Sequence, residues 1–171
     1  ISMMAALDDG KLDEHDRIKV QKGTWYYKTL PHSDSHAMDT VLTPRSALAA
    51  SSNIAIAKIV TESYNGDVNL FYDKLRTMGL GDNIDYTLPE AQQIWLNLPR
   101  KGDKATIAKI AYGYSVEFSP LHILMFYNGI ANNGRMIAPL FVKEIRKNNE
   151  QIERFESPVL CEKLCNETAL K

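Results

Sequence analysis

The spacing of apolar residues along the chain predicts mostly helices. The clearest stripe repeats every three or four positions and consists of Val68, Phe71, Tyr72, Leu75 and Met78. Asp67 precedes this stripe where a helix takes its N-cap, and Gly79 and Gly81 follow where helices commonly end. The pattern therefore predicts a helix over residues 68–78.

Pairs of a hydroxyl residue and proline indicate further helix starts. The hydroxyl caps the first turn, and proline fits the first helical position. Thr43-Pro44 predicts a short helix to Ala50, and Ser119-Pro120 predicts one that closes at Asn133-Gly134. Ser157-Pro158 predicts a last helix that reaches the end of the chain. Apolar runs at 1–7 and 54–64 indicate additional helices, and residues 105–111 form a further short apolar run.

Two segments have strand character. Residues 17–20 and 24–27, separated by Gln21-Lys22-Gly23, predict a small β-hairpin. A second hairpin is predicted from residues 141–145 and 152–155, which flank the turn residues 148–150. Residues 31–40 are polar and predict a loop, and residues 82–100 predict a connecting segment. The sum is a mostly α unit with minor β-hairpins.

Composition narrows the classes of function. The 171 residues are enough for one domain with a core. Twenty Lys and Arg against 21 Asp and Glu give a formal charge of -1 without a basic run, so a nucleic-acid partner is not expected. The longest apolar runs are far shorter than the ~20 residues of a membrane span. The helical runs at both ends lack caps, which predicts that the chain is a piece of a larger protein.

The cysteines and histidines predict no metal centre. Cys161 and Cys165 are four residues apart on the predicted last helix, where they favour core positions over a disulfide or a zinc site. His32 and His36 have the spacing of a helical metal pair, but they fall in the predicted loop. Solvent-exposed histidines are the favoured interpretation.

Ser51-Ser52-Asn53 is the candidate for chemistry. Serine and asparagine cap helices, so the motif alone is explained by the start of the helix at Ile54. A similar triplet, Ser63-Tyr64-Asn65, stands at the end of the same predicted helix. The motif gains weight only from its context.

The order of five segments resembles the class B penicillin-binding proteins, the monofunctional transpeptidases of cell division and elongation. Residues 1–10 are similar to the continuation of that family's Ser-x-x-Lys helix. The other four are LTPRSALAASSNIAIAKIV (42–60), LRTMGLG (75–81), YGYSVEFSPL (112–121) and IANNGRMIAP (130–139). Ser115 and Ser119 depart from the family's glycine and threonine. The chain contains neither Ser-x-x-Lys nor Lys-Thr-Gly.

The resemblance implies a fold and a set of site residues. The fold would be the helical part of a β-lactamase/transpeptidase-like domain that lacks the main sheet, with residues 1–171 extending from the end of the Ser-x-x-Lys helix to before the Lys-Thr-Gly strand. Ser51 and Asn53 would be catalytic, and Gly113 and Tyr114 would bind substrate. Ser52 should point into the helical body, and Lys58 should be structural or solvated. No cofactor or metal is implied.

The same resemblance implies an enzymatic parent protein. That parent would cross-link peptidoglycan stem peptides through an acyl-serine, bind β-lactams covalently, and work with a cell-wall polymerase and division or elongation proteins. It would be anchored in the cytoplasmic membrane with this domain on the outer face, and the piece alone would be inactive. A β-lactamase, a penicillin-sensing domain and a non-catalytic helical interaction module are the alternatives.

Overall fold

The computed structural model describes residues 1–36, 39–81 and 105–170, and the connecting segment expected at 82–100 lies outside them. The described helices are α1 (Ser2–Asp8), α2 (Pro44–Ala49), α3 (Asn53–Ser63), α4 (Val68–Thr77), α5 (Thr106–Ala111), α6 (Pro120–Ala131) and α7 (Glu167–Leu170). The described strands are β1 (Ile18–Val20), β2 (Thr24–Tyr27), β3 (Leu30–Ser33), β4 (Thr40–Leu42), β5 (Met136–Ile137), β6 (Glu144–Lys147), β7 (Glu150–Arg154) and β8 (Val159–Cys161). The expected mostly α fold with small sheets is confirmed.

Helix α3 is the central element of the core. Its apolar run makes it buried on most sides, and it contacts α1, α2, α5, β1 and β3. The main cluster around it includes Val60, Tyr64, Phe71, Ile107 and Phe126, all almost fully buried. A helix that is apolar nearly all round belongs inside a domain. Because other elements surround α3, each of its ends also contacts residues from neighbouring elements.

The predicted helix starts at 44, 68 and 120 are confirmed. The Thr43 hydroxyl accepts a hydrogen bond from the Ser46 backbone, and the Ser46 hydroxyl accepts one from the Thr43 backbone, which forms a capping box. Asp67 caps α4 by accepting from the Asn69 backbone at 2.9 Å. Ser119 accepts from the His122 backbone at the start of α6.

The pairing of the N-terminal strands differs from the prediction. β1 pairs antiparallel with β4, and β2 pairs antiparallel with β3, so residues 17–20 and 24–27 do not form one hairpin. The turn of the real hairpin lies at Lys28, which has a φ of 53°. The prediction of a loop over 31–40 was also wrong, because β3 and the start of β4 occupy part of it. The prediction failed because β1 pairs with residues far along the chain, Ile18 with Leu42, and no local pattern specifies such a partner.

His32 is buried rather than solvated. Its side chain lies between the ring of Trp25, 5.5 Å away between centroids, and that of Tyr112, 5.8 Å away. Nδ1 forms a 2.7 Å hydrogen bond with the Tyr112 hydroxyl. The expectation of an exposed histidine was wrong at position 32, while His36 is exposed.

The C-terminal third combines a confirmed hairpin with a corrected helix. β6 and β7 pair around Asn148 and Asn149, both with positive φ, as a two-residue turn requires. Residues 159–161 form β8, which pairs with β5, so no helix starts at Ser157-Pro158. Cys161 and Cys165 consequently do not share a helix, and both are free thiols, the first half-buried and the second buried.

Candidate active site

Six helix ends in the described residues share one closing geometry. Each has a residue with positive φ just past the helix, and the next backbone N–H donates to the carbonyl five residues earlier. The positive-φ residues are Gly10, Ser51, Asn65, Gly79, Gly113 and Asn133. Five are glycine or asparagine, the residue types that tolerate this conformation.

Ser51 is the exception in that set. A serine with φ of 52° costs on the order of 1 kcal/mol relative to glycine. Its side chain is exposed and makes no hydrogen bond with any described residue. A hydroxyl placed at a position that favours glycine, without a structural bond to justify it, indicates a functional requirement.

Ser52 and Asn53 have separate tasks. Ser52 is fully buried and is the N-cap of α3, since its Oγ accepts from the Ala55 backbone at 3.1 Å. It points into the helical body, as expected. Asn53 is the first helical residue and donates from Nδ2 to the Ser33 carbonyl at 3.1 Å. The helix cap therefore explains Ser52 but neither Ser51 nor Asn53.

Asp34 contacts the same turn. Its Oδ2 accepts from the Ser52 hydroxyl at 2.8 Å, and its Oδ1 accepts from the Ile54 backbone at 3.0 Å. Together with Ser52 it satisfies two of the backbone N–H groups that a helix start leaves unpaired. The sequence pattern did not single out Asp34, because Ser33-Asp34-Ser35 has the composition of an ordinary loop.

A cleft of about 480 Å³ opens at this turn. Ser51, Asn53 and Gly113 line it, and Ile1 and Ser2 contribute the first turn of α1. Its apolar wall consists of Phe71, Leu75, Ile110, Val116 and Phe118. The Ser2 hydroxyl donates to the Ala111 carbonyl at 2.5 Å and joins the start of α1 to the end of α5. An apolar cleft with a small number of polar groups directed into it is typical of a binding site.

Tyr112 and Tyr114 stand beside Gly113 at one wall. Tyr112 lines the cleft, whereas Tyr114 is 65% exposed and is not among the described residues that line it. The two rings meet edge to face with centroids 5.5 Å apart. Three of the four residues predicted to form the site therefore share the cleft. The role of Tyr114 stays a prediction, and Tyr112, its neighbour in the motif, was missed.

Burial sets the electrostatics of the Tyr112 wall. It lowers the pKa of His32, and the nearby Lys109 lowers it further, so the imidazole is neutral at pH 7. Burial, followed by Tyr114, raises the pKa of the Tyr112 hydroxyl. A neutral histidine and a neutral phenol thus form the 2.7 Å bond, which fixes the wall without adding charge to the cleft.

Lys58 has a structural position, as expected. Its Nζ donates to the Lys19 carbonyl at 2.7 Å and lies 5.4 Å from the centroid of the Trp25 ring.

Across residues 1–36, 39–81 and 105–170, no three His, Cys, Asp or Glu side chains are grouped to hold a metal ion. Within the same ranges, no helix has both the length and the apolar character needed to span a bilayer.

Comparisons with known proteins identify the family. Residues 1–165 match the penicillin binding protein transpeptidase domain, so the chain belongs to that family. It is 24% identical over 165 residues to the probable peptidoglycan D,D-transpeptidase PbpC of Pseudomonas aeruginosa. The match covers 95% of this chain and 28% of that protein, so the chain spans little more than a quarter of the relative's length.

The fold also matches a solved structure. The crystal structure of a peptidoglycan glycosyltransferase from Burkholderia ambifaria superposes with a TM-score of 0.79 at 20% identity. The superposition covers 99% of this chain and 49% of that one. At this identity the likeness establishes the fold, which agrees with the family assignment.

Proposed function

We propose that residues 1–171 are part of a serine-type peptidoglycan D,D-transpeptidase of the class B type. The observation that supports this most directly is Ser51, which keeps a hydroxyl in a left-handed conformation at the edge of the cleft. Asn53 lines the same cleft two residues later. Family membership supplies the class of reaction.

The nucleophile in this proposal lies before Ile1. The family's Ser-x-x-Lys helix would continue into α1, and a Lys-Thr-Gly strand would follow Lys171. The position of Ile1, Ser2 and Met3 in the lining of the cleft supports this arrangement, because residues one turn earlier would approach Ser51 and Asn53. Residues 1–171 would then be a partial transpeptidase domain.

The chemistry is acyl transfer. The nucleophilic serine oxygen attacks the carbonyl between the two D-alanines, its proton passes to a lysine, and the C–N bond breaks. The Ser51 hydroxyl relays a proton to the leaving nitrogen. Asn53 offers an amide that neither gains nor loses a proton and keeps the lysine and the substrate amide in register. The amine of a second stem peptide then displaces the serine from the ester.

The other assignments follow from the same proposal. Gly113 and Tyr114 bind the substrate at the wall that Tyr112 fixes. β-Lactams acylate the nucleophile of the full-length protein, by which we mean the protein that contains residues 1–171. That protein is anchored in the cytoplasmic membrane with this domain outside, and it acts with a cell-wall polymerase and proteins of division or elongation.

The first experiment compares two serines at opposite ends of α3. Ser51→Ala in the full-length protein should lower the acylation rate with a fluorescent penicillin by about 100-fold or more, because the proton relay is lost. Ser63→Ala, from the similar triplet at the other end, should leave that rate unchanged. An acylation rate within a few-fold of wild type for Ser51→Ala would remove Ser51 from the mechanism.

The second experiment tests where the nucleophile lies. Residues 1–171 alone should not be labelled by the fluorescent penicillin, while the full-length protein should be. Covalent labelling of residues 1–171 would contradict a nucleophile outside them. Release of the label should be slow, since turnover within seconds would indicate a β-lactamase instead.

A further inference from the structure

We propose that Asp34 is the positioning residue of the candidate active site and fixes where Ser51 and Asn53 stand in the cleft. This rests on the proposed function of those two residues. Asp34 follows directly after β3, so a rigid strand end rather than a free loop presents its carboxylate. It acts through Ser52 and Ile54 and does not itself touch substrate.

Both carboxylate oxygens of Asp34 are committed to the turn. One accepts from the Ser52 hydroxyl and the other from the Ile54 backbone. These partners bracket Asn53 on the two sides of the helix start. The negative charge also stands at the N-terminal end of α3, an 11-residue helix, where the helix dipole favours it. The carboxylate therefore fixes both the position and the direction of the first helical turn.

Ser33 completes the junction by orienting Asn53. Because Nδ2 of Asn53 donates to the Ser33 carbonyl, the side-chain amide cannot rotate freely. Its Oδ1 and second N–H remain for the cleft. The turn at Ser51 adjoins Ser52, so a shift of Ser52 would move the Ser51 hydroxyl as well.

The segment at the end of β3 also contacts Tyr112, another residue that lines the cleft. His32, two residues before Asp34, bonds to the hydroxyl of Tyr112, and Tyr112 adjoins Gly113. Three consecutive residues, 32–34, therefore contact both Tyr112 and the turn that carries Ser51 and Asn53. The distance between Tyr112 and the Ser51 turn therefore depends on this segment. Asp34 makes both of its bonds to the Ser51 turn and the start of α3.

The test uses substitutions at Asp34 with a matched control. Asp34→Ala removes both acceptors. Asp34→Asn keeps one oxygen for the Ile54 N–H, and its new amide can donate to Ser52 Oγ, so it should rescue most of the function. The control is Asp67→Ala, which removes the cap of α4, because Asp67 also accepts from the backbone at a helix start and does not line the cleft.

Two measurements on the full-length protein separate positioning from stability. Asp34→Ala should slow the acylation step of a fluorescent penicillin by about 10- to 100-fold and change its non-covalent affinity much less, since small displacements of catalytic groups cost about that much. Asp67→Ala should leave the acylation step within about two-fold. Amide hydrogen exchange at Ile54 should be faster in Asp34→Ala and unchanged in Asp67→Ala.

Each outcome decides a separate point. If wild type is labelled and Ser51→Ala is slow, but Asp34→Ala behaves like Asp67→Ala, the positioning role is overturned while the proposed function stands. If wild type is not labelled, the proposed function fails, and exchange at Ile54 then decides whether Asp34 fixes the turn. Unaltered exchange in Asp34→Ala overturns the proposal in either case.

Discussion

Polar side chains surround both ends of α3, but the two ends differ in whether every polar side chain is hydrogen-bonded. At the N-terminal end, Asp34 and Ser33 bond to Ser52, Asn53 and the Ile54 backbone, while the Ser51 hydroxyl stays unbonded among the described residues. At the C-terminal end, Tyr64 is buried and donates to Asp9 at 3.2 Å. One end presents a polar group to a cleft, and the other directs its polar groups inward.

The inward-facing end is an ion cluster between helices. Lys74 of α4 bonds to Asp8, and its Nζ lies 2.7 Å from Asp9. The Asn166 backbone donates to Asp8 at 2.5 Å, and its side chain donates to the Asp8 carbonyl at 2.9 Å. These bonds join α1, α3, α4 and the segment before α7. Charges that are mutually paired stabilise the packing and leave little for a ligand.

Polar groups that stabilise the fold of this domain are bonded to other protein groups, whereas a polar group available for chemistry is left unbonded at the cleft. Conventional helix capping accounts for Ser52, Asp67 and Thr43, and ion pairing accounts for Asp8, Asp9 and Lys74. Neither accounts for Ser51. The comparison predicts that substitutions at the C-terminal cluster change stability and not acylation, whereas Ser51→Ala changes acylation and not stability.

The largest stability effect is expected for Lys74→Ala. The substitution leaves Asp8, a partly buried carboxylate, without its cation and leaves Asp9 with only Lys11, and it should lower the free energy of unfolding by about 3 kcal/mol. Urea unfolding of the full-length protein measures it. Arg76→Ala is the control on the same helix, because Arg76 pairs with Asp73 at the surface and its loss should cost less than about 1 kcal/mol. Equal losses in both variants would show that the cluster around Lys74 contributes no more to stability than a surface ion pair.

A smaller effect is expected from acid. Burial raises the pKa of Asp9, but the bonds and charges of Lys74, Tyr64 and Lys11 outweigh it and hold that pKa below its usual value. The stabilisation is therefore complete above about pH 4, the ordinary aspartate range, and is lost as the pH falls through the lower folded pKa. The loss should be about 1 kcal/mol.

Unfolding midpoints at pH 5 and pH 3 check this expectation. Asp9→Asn removes the titrating carboxylate, so its midpoint should change less between the two pH values than that of wild type. Asp39→Asn supplies the control at an exposed position. A wild-type and an Asp9→Asn protein with the same pH dependence would show that Asp9 contributes no linked stability.

The helices could be read from the sequence because their signals are local. Asp67, Thr43-Pro44 and Ser119-Pro120 each act within one turn, and each is confirmed as a helix start. Strand pairing is not local. Nothing near Ile18 specifies that its partner is Leu42, and Ser157-Pro158 begins a capping signal that the pairing of β8 with β5 overrides.

The candidate site was predictable only in part for the same reason. Ser51, Asn53 and Gly113 stand in segments that resemble a family, so their order along the chain predicted them. Asp34 and His32 belong to the site because of contacts with distant residues: Asp34 bonds to Ser52, 18 positions away, and His32 to Tyr112, 80 positions away. No short sequence pattern encodes such contacts. Tyr112 needed only its place beside Gly113, and a wider view of that motif would have included it.

The smallest predicted effect belongs to one of two matched substitutions, each of which removes a single hydroxyl oxygen, one at either end of α3. Tyr64→Phe removes the hydroxyl that donates to Asp9 while Lys74 and Lys11 remain, so the free energy of unfolding should fall by only about 0.5 kcal/mol. Its acylation rate should equal that of wild type.

Ser51→Ala removes one oxygen at the other end and should show the reverse: an unfolding midpoint unchanged within error, since the hydroxyl has no bond to lose among the described residues, and a large fall in acylation. Measuring both quantities for both variants completes the comparison. If Ser51→Ala lowered the unfolding midpoint as Tyr64→Phe does, the Ser51 hydroxyl would be a structural group, and its left-handed backbone would require another explanation.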